Sequence, residues 1–315
     1  MAQTMPHYSY RSVVSTFVIA AMMFLVAPSY AQPASTLSRP KRIVSLNLCS
    51  DQYLLALADP GQIAGLTHNA TDPTISAAAA SARGLHIMGQ SAEELLASDP
   101  DLNIGMPAKR SGIVAALAGR NFRAVDLTFA NTYADILAQI RQVASAVGQV
   151  PRGEALIARM NRELASVPRR SGIRVAAYYQ RRGYMTGTGT LVDDLMMRVG
   201  LTNLAGKLGK PSLSRLSLEE LIAAHPDYLI VETATDQIVD QGTEMLHHPI
   251  LDNIPRLRLP QAWTVCGGPA FVLAARSLAR QIAVAEAKRH GRHPGVRPNR
   301  RSDDGTAVAT PRAHR

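Results

Sequence analysis

Ser91-Ala-Glu-Glu-Leu-Leu-Ala-Ser-Asp-Pro-Asp-Leu-Asn-Ile104 recurs 126 residues later as Ser217-Leu-Glu-Glu-Leu-Ile-Ala-Ala-His-Pro-Asp-Tyr-Leu-Ile230, with eight of fourteen positions identical. The two copies share one physical pattern. A serine followed three residues on by a glutamate, Ser91 with Glu94 and Ser217 with Glu220, predicts a helix N-terminus closed by a capping box. Pro-Asp then stops the helix ahead of an apolar strand. A repeat of this kind predicts two similar lobes.

Working outward, each lobe opens on an apolar strand, Arg42–Leu46 in the first and Ile173–Tyr178 in the second. A helix is predicted after each, over Asp51–Ala58 and over Thr190–Val199, the latter ended by Gly200. Strands at Ile63–Leu66, Leu102–Ile104 and Ala124–Leu127, with a helix at Ser111–Gly119, complete the first lobe. The second continues with strands at Tyr228–Val231 and Ala262–Val265 and a closing helix from Ala270 to about Ala285. Alternating strands and helices predict α/β architecture with parallel, Rossmann-like sheets. Between the lobes, Thr132–Ser166 keeps apolar residues at helical spacing (Ile136, Ile140, Val143, Val147), interrupted only by Gly148 and Pro151. It reads as a single long bridging helix, on the order of 50 Å at 1.5 Å per residue, that would limit hinge motion.

The ends of the chain differ in character. Arg11 precedes a stretch from Val13 to Val26 without charge, and Ser29-Tyr-Ala31 supplies small residues at cleavage positions, so residues 1–31 read as a secretory signal peptide. The stretch is shorter than the roughly 20 residues of a spanning helix. Residues 286–315 hold eight Lys and Arg against three acids, half of the formal net charge of +10. Without apolar period or aromatics, this segment reads as a disordered tail and gives no support to nucleic-acid binding. The predicted organisation is a first lobe over 32–131, a bridge over 132–168 and a second lobe over 169–285.

Catalytic motifs are missing from the sequence. Gly187-Thr-Gly189 and Gly267-Gly268 are too short for a phosphate loop, and neither G-x-x-x-x-G-K-[ST], G-x-S-x-G nor H-E-x-x-H occurs. His247-His248 adjoins Pro249 in a predicted surface turn, where neighbouring imidazoles point apart and make a poor metal site. No catalytic residue, metal site or resident cofactor is assigned. The enzyme alternative that remains is a secreted α/β protein with an unrecognised site.

The combination of R-I-V-S-L-N near the start, E-E-L-L-A-S-D-P-D-L, A-D-I-L-A-Q-I-R-Q-V-A, H-H-P-I-L-D-N-I-P and A-W-T-V-C-G-G-P, in this order and spacing, resembles the periplasmic substrate-binding proteins of the cobalamin and ferric-siderophore ABC importers. The resemblance covers roughly residues 40–285. It implies a periplasmic monomer with a ligand cleft between the lobes, a metal chelate as ligand, and an inner-membrane ABC permease as partner. In similar proteins a glutamate seven residues before the Pro of each repeat pairs with permease arginines. Here those positions are Glu93 and Glu219. The residues alone allow the plainer reading that these acids favour the helix dipole.

Ligands of doubly wound sheets sit at the carboxyl ends of the strands. In the first lobe that rule selects Asn47, Leu48, Cys49, His68, Asn69, Met88, Gln90, Met106, Lys109 and Arg110. In the second it selects Tyr178, Tyr179, Arg181, Arg182, Lys207, Lys210 and Trp263. Six of these are Lys or Arg, suited to an anionic chelate, so a ferric siderophore is preferred to a corrinoid or haem, each of which stays an alternative. Trp263 is either core filler or a stacking wall; the resemblance favours the cleft role, since similar cobalamin-binding proteins place a Trp nearby. Cys49 and Cys266 follow corresponding strand ends and are either two free thiols or one disulfide. Free, semi-buried thiols are preferred, because a bond across the cleft would lock it.

Overall fold

The computed structural model describes residues 38–292, apart from 90, 107–118, 120–122 and 169–173. The signal-peptide reading, the helix expected over Ser111–Gly119, most of the basic tail, and Gln90, Lys109 and Arg110 lie outside the described residues.

The first lobe runs β1 (Ile43–Ser45), α1 (Leu48–Leu57), β2 (Ile63–Thr67), β3 (Ile87–Met88), α2 (Ala92–Ser98), β4 (Leu102–Gly105) and β5 (Arg123–Asp126). Its sheet has the order β3-β2-β1-β4-β5, and every pairing is parallel. Parallel neighbours need crossover connections, which the repeat's helix and its partners supply. Two helices follow, α3 (Tyr133–Ala146) and α4 (Val150–Ala165).

The second lobe begins with β6 (Arg174–Tyr179), β7 (Tyr184–Thr186), α5 (Leu191–Arg198), β8 (Leu201–Asn203), α6 (Leu204–Lys207) and β9 (Leu213–Arg215). It ends with α7 (Leu218–Ala223), β10 (Tyr228–Glu232), α8 (Thr233–Asp236), β11 (Arg256–Leu259) and α9 (Phe271–Arg292). Here β11-β10-β6 and β8 are parallel, while β7 and β9 form an antiparallel extension past the end of β6. That extension has no counterpart in the alternating pattern of the sequence. Gly187 lets it close, since a Cβ there would lie 2.0 Å from the Pro211 carbonyl oxygen.

Three expectations need correction. The segment 132–166 is two helices and not one. Gly148 takes φ +73° directly after α3, and Pro151 sits in the first turn of α4, the usual residues for a helix stop and a helix start. The helices fold against each other antiparallel: Arg141 Nε donates to Glu154 Oε1 at 2.8 Å, and Tyr133 Oη donates to Asn161 Oδ1 at 2.8 Å. Gly153 permits the contact, because a Cβ on it would lie 2.5 Å from the Ala144 Cβ. One buried cluster runs from Ile43, Tyr53 and Leu54 through Ile136, Ile140, Leu156 and Met160 to Tyr178, Leu195, Phe271 and Leu278, so the lobes share a continuous core.

The strand expected at Ala262–Val265 is a 3₁₀ turn over Gln261–Trp263; the strand itself lies earlier, at β11. Pro260 ends the ladder, and its carbonyl accepts the Trp263 N–H at 3.0 Å. The capping box closes only in the second repeat. Ser217 Oγ accepts from Glu220 N, and Glu220 Oε2 accepts from Ser217 N at 3.1 Å. In the first, Ser91 Oγ caps Glu94 N, but Glu94 turns towards Gly89 and its Oε2 is buried without a partner.

Candidate functional site

Where the two lobes face each other, loops from both sheets enclose a cavity of about 220 Å³. The first lobe contributes Cys49, Met106 and the Thr128–Asn131 turn, α3 contributes Gln139, and the second lobe contributes Thr190–Val192 and Thr264–Gly267. Cys49 follows β1, Met106 follows β4, and Thr128 follows β5, so the cavity lies at the carboxyl ends of the strands, as the fold requires of a ligand site. No charged side chain lines it among the described residues. Its walls are apolar with hydroxyl and amide side chains among them, and Phe129 stands 81% exposed at its edge. On the second lobe alone, a depression of about 370 Å³ is lined by Gln180, Arg181, Tyr184, Leu213, Glu232 and Gln261. Glu232 is braced there: Gln180 Nε2 donates to Oε1 at 3.3 Å, and Thr235 Oγ1 donates to Oε2 at 3.2 Å.

Cys49 and Cys266 form a disulfide with Cα atoms 5.3 Å apart, which corrects the preference for free thiols. The bond does not seal the cleft. It joins the first turn of α1 to the Cys266–Gly268 loop along one wall, and the same loop is fastened by Tyr53 Oη, which donates to the Gly267 carbonyl. Gly267 itself packs on Ala130, where a Cβ would approach within 2.3 Å of the Ala130 Cβ. The tethered loop therefore belongs to both lobes.

The remaining candidates divide by what already holds them. Asn47 caps α1, its Oδ1 accepting from Cys49 N at 3.1 Å and Ser50 N at 3.0 Å. His68 is exposed at the end of β2. Beneath it, Asp51 is fully buried and accepts from Thr67 N at 3.0 Å and Thr67 Oγ1 at 2.5 Å; burial raises its carboxyl above the ordinary range despite these bonds. Met88 is buried against Gly65, Val44 and Leu95. Tyr179 lies in the core of the second lobe, its Oη donating to the Leu216 carbonyl at 2.9 Å, and burial pushes its hydroxyl up to about 12. Tyr178 lies in the core shared by the lobes. Its hydroxyl, raised by burial, lies 3.4 Å from both Glu232 Oε1 and Thr264 Oγ1. Trp263 is half-buried against the shared core and does not line the cavity, whereas Met106 does.

Among the basic candidates, Arg181 is paired with Asp240 at 2.8 Å and Lys210 with Glu220 at 3.0 Å. Arg182 and Lys207 are exposed, Arg182 with φ +57° in the turn after β6 and Lys207 at the end of α6. Phe129 is not selectable by charge or motif, and Thr190, Thr264 and Val265 read in the sequence as a helix start and a strand. Only the meeting of the lobes makes them a wall.

Glu93 and Glu219 are exposed in the first turns of α2 and α7. Both carboxyls are held below the ordinary range, each by its own backbone N–H and by the neighbouring Ser91 or Ser217 hydroxyl. They have local acceptor roles within their own first turns. No group of three His, Cys, Asp or Glu able to hold a metal ion occurs among the described residues, and no helix among them is long and apolar enough to cross a membrane.

No curated protein matches the chain. Among solved structures, it is similar to the periplasmic heme-binding protein RhuT from Roseiflexus sp. RS-1, at 25% identity and a TM-score of 0.59, covering 78% of this chain and 99% of that one. The periplasmic heme-binding protein HutB of Vibrio cholerae aligns at 19% identity and a TM-score of 0.63, over 76% and 98% of the two chains. The periplasmic vitamin B12 binding protein BtuF of Vibrio cholerae aligns at 15% identity and a TM-score of 0.56, over 79% and 98%. The profile of the family described as periplasmic binding protein matches residues 43–258, spanning both sheets and the helices between them. With its two βα lobes, shared core and strand-end cavity between them, the chain belongs to the periplasmic binding protein family.

Proposed function

We propose that the protein captures a metal chelate between its lobes, outside the cytoplasm, and hands it to the permease of an ABC importer. The observation that carries this reading is the cavity at the carboxyl ends of both sheets, walled by both lobes. In this reading the chelate is captured and released unaltered. Glu93 and Glu219, symmetric in the repeat and exposed, are the docking carboxylates in this reading.

For the chelate, a ferric siderophore is supported by the cations on the second lobe, Arg181 lining the depression there and Arg182 beside it. Haem is a second reading with its own observation. The cavity walls carry no charge among the described residues, exposed Phe129 offers a face for a flat apolar ring, and similar proteins bind heme.

Titration of the purified protein with a ferric tris-catecholate, ferrichrome, hemin and cyanocobalamin tests both. The siderophore reading expects submicromolar catecholate binding that falls at least tenfold in Arg181→Ala/Arg182→Ala. The haem reading expects hemin binding that falls in Phe129→Ala and is indifferent to the arginines. Failure of all four compounds, or chemical conversion of a bound one, overturns the proposed function.

A further inference from the structure

The second lobe carries a basic face that the cleft does not use. β11 starts at Arg256, and the chain reaches the cavity only past the strand's carboxyl end, at Thr264–Gly267. Its amino end therefore lies away from the cavity. There a groove of about 410 Å³ runs between β11 and the second half of α9. We propose that this face docks on the surface of an anionic phospholipid membrane.

Charge is the first support. Arg256, Arg280 and Lys288 line the groove, and no acid does. Arg280 and Lys288 are exposed and have no partner among the described residues. Arg256 is held by Asp236 at 2.5 Å, but that one carboxylate also holds Arg258 at 2.5 Å, so the trio stays positive. The acids packed near the end of α9 are already engaged: Asp227 by Arg174 at 3.3 Å and Arg289 at 3.1 Å, and Glu286 by Arg174 at 3.7 Å. A helix dipole favours cations in a last turn, but Arg280 stands well inside α9, which continues to Arg292. Beyond that end the sequence adds five Lys and Arg against two acids over 293–315.

The second support is what lies among the cations. Arg280, Val284 and Lys288 follow at four-residue spacing on one stripe of α9, and Val284 is 55% exposed between the two charges. Cations that meet headgroup phosphates, with an apolar side chain entering the headgroup boundary, are what a membrane interface selects. A single-stranded nucleic acid would call for aromatic rings, and none lines the groove. Docking at this end of the sheet leaves the cavity open, so the protein can hold a chelate and a membrane surface at once.

The test is sedimentation of the full, disulfide-intact protein with vesicles of phosphatidylglycerol and phosphatidylethanolamine in equal parts, and with vesicles of phosphatidylcholine. Binding to the anionic vesicles is expected to be at least tenfold stronger, and to fall at least tenfold as salt rises from about 0.1 to 0.5 M. Arg280→Glu/Lys288→Glu is expected to weaken it at least tenfold, and Val284→Asp at least threefold. Lys41→Glu/Arg83→Glu, the same change of net charge on exposed residues of the first lobe, should change it less than twofold. All these side chains are exposed, so thermal unfolding should match wild type. Absence of binding to anionic vesicles, or equal binding to phosphatidylcholine, overturns the proposal. So does full binding by Arg280→Glu/Lys288→Glu, which would assign it to the tail, or an equal loss in Lys41→Glu/Arg83→Glu, which would assign it to net charge. Binding to soluble polyglutamate without binding to vesicles would make the partner an acidic polypeptide and overturns it as well.

Discussion

Replacing Cys49 and Cys266 together by Ser removes a cross-link between residues 217 apart in sequence. In the chain-entropy treatment, closing a loop of that length lowers the entropy of the unfolded chain enough to stabilise the folded state by about 5 kcal/mol at 25 °C. The Cα separation of 5.3 Å is within the ordinary range, so no geometric penalty is set against it. At roughly 2–4 °C per kcal/mol for a chain of this size, the double variant should melt roughly 10–20 °C lower by scanning calorimetry. Its lobes should nevertheless stay together. The cluster joining Tyr53, Ile140, Met160, Tyr178 and Phe271 is fully hydrophobic, and Tyr53 still anchors the Gly267 loop. Small-angle scattering should give radii of gyration equal within error for the oxidised protein and the double variant, and little change when the chelate is added. A fall in Tm below about 3 °C would refute the entropic argument. An increase of several Å in radius would show that the disulfide, and not the shared core, holds the cleft.

Three further outcomes are expected. Glu93→Arg/Glu219→Arg should abolish uptake in a permease-dependent growth assay while changing chelate affinity less than twofold, since both side chains are exposed and outside the cavity lining. Gly187→Ala should lower stability by about 1–3 kcal/mol in urea, because its Cβ would meet the backbone carbonyl of Pro211 at 2.0 Å, which no side-chain rotation relieves. Asp51 is an acid whose carboxyl is raised from 3.8 by burial, so the folded state holds its proton longer than the unfolded one. That group's contribution is most favourable below pH 3.8 and is lost as pH rises through the folded value. Relative to wild type, Asp51→Asn should therefore gain stability as pH rises from about 4, and a constant difference between pH 3 and 7 would contradict this.

Much of the architecture is legible in residues a few positions apart. The repeat at Ser91 and Ser217 announces two lobes, and strand and helix periods place most elements within a few residues, because caps and amphipathic faces are local physics. Even the break in the bridge is written in Gly148 and Pro151, whose weight is easily underestimated beside the helical spacing around them. Other features depend on which distant surfaces meet. Glu220 closes its capping box and Glu94 does not, although the two stretches read alike, because Glu94 turns towards Gly89. Lys210 and Arg181 read as free cations until Glu220 and Asp240 are found beside them, although Arg181 still lines the depression of the second lobe. Phe129 carries no motif, and becomes a cleft wall only through the loop opposite. The pairing of Cys49 with Cys266 belongs to the same class. Sequence places each cysteine after a strand, but only packing across 217 residues brings their backbones within bonding reach, since the shared core fixes both loops before any covalent bond is considered.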